Sequence, residues 1–270
     1  MLDFLPTSPI GLTPAGKCYI EATEQVMAVE EELRARLSRL SERREGNVTV
    51  GSAAYFCSYV LPELALEFQR RYPSCTVSLL EGNTGDLTQC LQSGVVDFVL
   101  DVDDLDPGLF VPHLWGEEEL ILAVPAGLAV NQRLRDSRLT FEQVRSGSGL
   151  GPDCPRVGLG AFQEEKFLLL KKGNDIYRRA LNMCRNAGFR PRVGMYMDQM
   201  LTSYHVAANG QGITFIRAGV LDHVKPTDRL YFYQIDDSNV VRTIYLYHRK
   251  DAPMPPIARD FLAFMEEKRQ

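Results

Sequence analysis

The 270-residue sequence has no CxxC pair. Its six cysteines, Cys18, Cys57, Cys75, Cys90, Cys154 and Cys184, are scattered, so zinc-ribbon and dithiol redox chemistry have no starting point. The reading is reduced core cysteines. Four histidines (His113, His205, His223, His248) lie far apart without HxxxH spacing, and no metal site or cofactor is expected. No apolar run approaches the ~18 residues needed to span a bilayer, so no membrane partner is expected. Met1–Lys17 lacks a basic segment followed by an apolar one, so no secretory signal is read and the expected compartment is the cytoplasm. A basic excess is also missing: the net charge is −5, which argues against the chain holding nucleic acid by itself. No G-x-S-x-G elbow occurs. GSGLG at Gly147–Gly151 lacks the strand-turn-helix setting of a phosphate loop, because Pro152, Cys154 and Pro155 follow, and GLGAF at Gly158 is no better. Asp103-Asp104 and Asp236-Asp237 read as solvated turns. An enzyme is therefore not expected.

What is present is an ordinary globular composition, 45% hydrophobic and 24% charged, ample for one large or two modest domains. Residues 1–16 are broken by Pro6, Pro9, Gly11 and Pro14 into turns. Thr13-Pro14 then resembles a helix cap followed by proline at the first helical position. From there to about Glu45, apolar or small residues fall at Cys18, Ala22, Val26, Val29, Leu33, Leu37 and Leu40, a stripe at helical period. Glu30 and Arg34 stand four apart in the favourable order. A helix this long, roughly 45 Å, predicts self-association through that stripe, with packing on its own domain as the alternative.

After Gly46 the pattern alternates. NVTVGS reads as a strand, Ala53 to Ser58 as a loop, Pro62–Tyr72 as a helix stopped by Pro73, and Thr76–Leu80 as a strand. Asp86–Gln92 is a helix closed by Gly94, and Val96–Leu100 a strand buried on both faces. This order predicts a parallel open sheet. ELILAV at Glu119–Val124 is a further strand, followed by a long loop through Gly160. A second unit comprises strand Lys166–Leu170, helix Asn174–Ala187, strand Arg192–Tyr196, helix Gln199–Asn209 and strand Ile213–Ile216. Strands at Leu230–Gln234 and Thr243–His248 and a helix from Pro256 to Lys268 complete the chain. Two such units predict two lobes around a cleft, with ligand-facing loops at the carboxyl ends of strands: Ser52–Ser58, Gly82–Gly85, Asp101–Asp104, Lys171–Asp175, Asp198–Met200 and Arg217–Gly219.

Several segments together resemble the LysR family of bacterial transcription regulators. LTPAG at Leu12–Gly16 is similar to the LTxAG that closes the family's DNA-binding wing. Val48–Leu100 resembles the first effector lobe through Leu61-Pro62, Phe68 to Pro73, Glu81 to Asn83 and Gly94 to Phe98. Glu118–Pro125 resembles the strand crossing to the second lobe, and Ala187–Val193 and Val206–Ile216 resemble its AGFxPxV and VAxGxGIxxxP segments. The resemblance implies an α/β, two-lobed, periplasmic-binding-protein-like (type 2) effector domain preceded by a long linker helix. It implies wing residues at 1–16, linker and dimerisation helix at 17–45, lobe I at 46–125 and 220–270, and lobe II at 126–219. The implied function is control of transcription by a small co-inducer in a homodimer or tetramer. The family's helix-turn-helix precedes the wing, and this chain opens on the wing, so an N-terminally truncated regulator is expected. Promoter DNA is then a partner only where an intact helix-turn-helix is supplied. A solute-binding protein without a DNA role is the alternative. The chain also departs from the GIxxxP segment: TFIR and then Ala218 follow Ile213, with no proline.

By position the resemblance assigns effector contacts to Ser52, Ala53, Tyr55, Phe56, Asn83, Thr84 and Asp101 in the first lobe. In the second it assigns Lys171, Lys172, Gly173, Asn174, Asp198, Gln199 and Phe215, and it places Thr7, Ser8 and Thr13 near DNA. Helix N-termini and the two lysines favour an anionic ligand, with Tyr55 and Phe56 free to stack on it. Each assignment has a structural counterpart: a solvated lysine pair, aromatic packing at the lobe interface, and helix caps at Asp198, Asn83 and Thr84.

Overall fold

A computed structural model describes residues 4–5, 11–40, 46–102, 104–151 and 153–269. Two short antiparallel strands, β1 (Phe4–Leu5) and β2 (Gly11–Leu12), precede helix α1 (Pro14–Leu40). Thr13 caps α1 as the sequence predicts, its hydroxyl accepting from the Gly16 N–H at 3.1 Å. The helix is about 40 Å long at ~1.5 Å per residue. Thr7 and Ser8 lie outside the described residues, as do residues 41–45 and the side chains of Leu37 and Leu40.

The first lobe is built as its alternation predicts. Strands β3 (Gly46–Ser52), β4 (Cys75–Glu81) and β5 (Phe98–Asp101) are parallel, with β3 central. Helix α2 (Leu61–Arg71) and helix α3 (Thr84–Ser93) connect them. Asn83 caps α3, its side chain accepting from the Asp86 N–H at 3.0 Å, and Gly94 closes it in the left-handed conformation at φ +79°. Asn83→Ala should cost about 1 kcal/mol of stability, read as a lower urea midpoint with an unchanged slope.

The expected loop at Ala53–Ser58 is instead helical from Ala54, with a π turn over Phe56–Val60. Pro62 explains it. A proline cannot donate to the carbonyl four residues back, and the ladder widens so that Leu61 N–H bonds Phe56 O, five residues back.

Strand β6 (Phe110–Pro125) is sixteen residues long, more than twice the expected ELILAV. Its first half pairs antiparallel with β12 (Val241–Arg249). Its second half pairs with β10 (Thr214–Arg217) and β11 (Leu230–Ile235). One strand thus serves both lobes. The stretch expected as a long loop contains α4 (Val130–Arg133), α5 (Phe141–Arg145) and the short strand β7 (Arg156–Val157), which pairs with β11. Strands β8 (Lys166–Leu170) and β9 (Arg192–Met197), with helix α6 (Asp175–Asn186) between them, join the second sheet through Phe167 beside Ile213. Helix α7 (Met200–Ala208) leads into β10, and helix α8 (Pro256–Glu267) returns to pack on the first lobe.

Two main cores follow from this, with a smaller third cluster around Leu87, Leu91, Val99 and Phe110. Val48, Val50, Phe68, Phe98, Leu100, Trp115, Phe261 and Phe264 fill one. Leu120–Val124, Phe167–Leu170, Phe215, Ile216, Phe232 and Val240 fill the other. Val220, Leu221, Leu230, Tyr233 and Ile235 pack in the same cluster as Leu120–Val124.

Candidate functional site

The chain leaves β3 at Ser52, a fully buried residue whose hydroxyl donates to Leu100 O at 2.6 Å, tying β3 to β5. The π turn then presents Tyr55, Phe56 and Tyr59 toward the second lobe. Tyr55 stands edge-on to Phe56 with ring centroids 5.5 Å apart. Tyr59 stacks flat on His223 at 4.3 Å. The Tyr55 phenol rests against Gly219, where a Cβ would come within 2.7 Å of its oxygen, so a larger residue there would displace the Tyr55 ring.

Between the lobes lies a cavity of about 360 Å³, lined from the first lobe by Ala54, Tyr55, Ser58, Tyr59 and Glu81 and from the second mainly by the N-terminal turns of α7 and Val220. Gln199, at the α7 N-cap, donates to the Glu81 carboxylate across this gap at 3.3 Å. A larger cavity, about 650 Å³, lies between α1 and the first lobe near Asp97, Arg249 and Met254. Only the smaller one is walled by the ends of strands and helices from both lobes.

Behind the wall formed by Tyr55 sits Arg217, at the end of β10. It is 5% exposed. Its guanidinium carbon lies 4.4 Å from the Phe56 ring centre and 4.7 Å from that of Tyr55, a cation held over two aromatic faces. Its Nε faces Glu118 at 3.5 Å, yet neither Nε nor Nη1 makes a hydrogen bond. Burial, and then the like charge of Arg242, push the Arg217 guanidinium down to about 10, with Glu118 opposing. A buried donor left unmet costs on the order of 1–3 kcal/mol. Burial likewise raises the Tyr55 phenol, opposed by Arg217.

Glu118 is chiefly engaged by Arg242, itself 1% exposed. Arg242 also donates to Asp175 at 3.0 Å, and Asp175 accepts from Arg179 at 2.8 Å. Arg179 in turn donates to the carbonyls of Asn239 and Val241. This charged chain runs from the cleft across both strands that connect the lobes.

The expected effector residues separate accordingly. Tyr55 and Gln199 line the cavity; Phe56 is buried beside it under Arg217. Ala53 leads into the π turn, and Asn83 and Thr84 begin α3. Asp101 is buried at the end of β5, accepting from the Val102 N–H. Phe215 belongs to the second core, and the Ser52 hydroxyl is spent within its sheet. Lys171, Lys172 and Gly173 are exposed and line neither cavity; Asn174 caps α6 by accepting from Ile176 N–H. Asp198 does not cap α7; Gln199 holds that position without a side-chain bond to the helix, and Asp198 pairs with Lys171 at 2.8 Å. Sequence reading did not mention Tyr59 or Arg242, and it named Glu81, Glu118 and Met200 only as ends of segments and His223 only as one of four scattered histidines. It named Arg217 only as the start of a loop. The signal for Arg217 was available, because a lone arginine ends the apolar run TFI where the GIxxxP pattern has its proline.

Two α/β lobes joined by a shared strand, with a cavity at strand and helix ends, define a periplasmic-binding-protein-like fold. The chain belongs to the LysR family: residues 41–270 match the LysR substrate binding domain. It is 29% identical over 212 residues to YcgK, an uncharacterized HTH-type transcriptional regulator of Bacillus subtilis; this covers 76% of the chain and 62% of that relative, less than two thirds of its length. The CcmR regulatory domain of Synechocystis PCC6803 in complex with 2-PG superposes with a TM-score of 0.69 at 16% identity, covering 84% of this chain and 98% of that one. The BenM effector binding domain with its effector benzoate gives 0.65 at 18% identity, covering 83% and 91%. These structures share the two-lobed fold. Among the described residues no helix is long and apolar enough to cross a membrane.

Proposed function

We propose that the chain is the effector-sensing part of a cytoplasmic LysR-type transcription regulator, with no enzymatic activity of its own. The observation that carries this reading is the cavity between Tyr55 and the N-terminus of α7. A ligand there contacts both lobes at once, so it binds the closed arrangement better than an open one and shifts the balance between them. β6 and residues 236–241 are the connections that flex. The effector is a small molecule, by preference an anion; benzoate, a carboxylate, fills this role for BenM.

Helix α1 carries the second part of the proposal. Val26, Val29 and Leu33 are 58%, 66% and 55% exposed, and Ala22 is exposed beside them. Such an unpartnered apolar stripe on a helix is the seam of a two-helix pairing, and a second copy of the chain, in a dimer or tetramer, is the partner proposed. Promoter DNA is a partner only where an intact helix-turn-helix is supplied.

The test is a thermal-shift screen of small carboxylates, benzoate among them, against the protein and Ala54→Phe. An effector at about a hundredfold its Kd stabilises by about 2.7 kcal/mol, a rise of roughly 5–10 °C for a domain of this size. Ala54→Phe fills the cavity and should lose that rise while keeping its unliganded Tm. An undiminished rise in the variant would remove the cavity from the proposal.

A further inference from the structure

We infer that Arg217 selects the effector's acid group: the ligand is a small carboxylate whose anion takes the guanidinium donors left free behind Tyr55. This rests on the interlobe site proposed above and names the chemistry that site reads.

The sequence supplies the first half of the argument. Counting from Gly212-Ile213, the place of the GIxxxP proline falls on Arg217. A proline there brings no charge and no side-chain donor. This chain instead places a permanent cation between its lobes, and a buried cation calls for an anion.

The structure supplies the second half. Glu118, 3.5 Å from the Arg217 Nε, is committed to Arg242 and accepts no hydrogen bond from Nε. Nη1 is also without a hydrogen bond. Glu118 meets the charge at ion-pair distance and two aromatic faces cover it, but the Nε and Nη1 hydrogen bonds are unmade, and a carboxylate supplies them as charge-assisted bonds. Arg217 stands one side chain behind the cavity: Tyr55 forms the wall, and Met200, another wall residue, takes the Arg217 backbone N–H on its sulfur at 3.3 Å. Rotation of the Tyr55 ring joins the guanidinium to the cavity. The body of the ligand then lies where the cavity is now, against Tyr59, with its acid group on Arg217.

The experiment uses matched acids and amides, benzoate with benzamide and cinnamate with cinnamamide, titrated calorimetrically into the unmodified full chain at neutral pH. The expected result is binding of an acid at least thirtyfold tighter than its amide. In Arg217→Met that ratio should collapse to within threefold, and Arg217→Lys should restore part of it. Because the acid-to-amide ratio is measured on the unmodified protein, it stands even where Arg217→Met fails to fold. Acid and amide binding equally well to the unmodified chain, or a ratio unchanged in a folded Arg217→Met, overturns the inference and leaves the interlobe site standing. Silence of both series with the unmodified chain overturns the site and the inference together.

Discussion

Arg242→Met is expected to be the most destabilising single change outside the two cores, costing about 3–5 kcal/mol. Arg242 is 1% exposed and bridges Glu118 on β6 to Asp175 at the start of α6. Methionine keeps an unbranched apolar stem like that of the arginine but removes the guanidinium and its charge, so Glu118 keeps only the more distant Arg217. Removing one partner of a buried pair costs more than the pair contributes, because the remaining charge is stranded in low dielectric. Asp175 is less affected, since Arg178 and Arg179 still bind it. The expected drop in Tm is roughly 6–20 °C, with Arg242→Lys falling between the two proteins. A loss below about 1 kcal/mol, the range of an exposed ion pair, would show that this network does not hold the lobe connections.

Val29→Glu is expected to turn an associated protein into a monomer without changing how its α/β lobes melt. Val29 is 66% exposed on α1 and lies at the middle of the apolar stripe. Burying one valine contributes about 1.5–3 kcal/mol. A symmetric pairing loses two of them and gains two facing charges, so association should weaken by roughly a hundredfold or more. Light scattering after size exclusion reads the mass directly. A parent protein already monomeric at tens of micromolar would remove the dimer from the proposal.

Much of this architecture could be read before any coordinates. The alternation after Gly46 reveals the first lobe because parallel strands buried on both faces are short apolar runs bounded by turn residues, as with Phe98–Asp101. Caps at Thr13 and Asn83 are legible because they are local. What escaped is nonlocal. The first half of β6 reads as loop because HLWGEEE alternates poorly, and only its pairing with β12, more than a hundred residues on, makes it a strand. The partners Glu118 and Arg242 lie 124 positions apart. At the site, Tyr55, Phe56 and Gln199 were visible as residues near strand and helix ends. The role of Arg217 was not, because its isolation depends on Glu118 being claimed by another arginine.

The central claim is that an effector binds between the lobes, and a crystal structure of the chain with a carboxylate that raises its Tm tests it most directly. Ligand density is predicted between Tyr55 and the first turn of α7, beside Gln199 and Met200. Density confined to the larger cavity under α1, beside Asp97 and Met254, with the interlobe space unchanged, would contradict it.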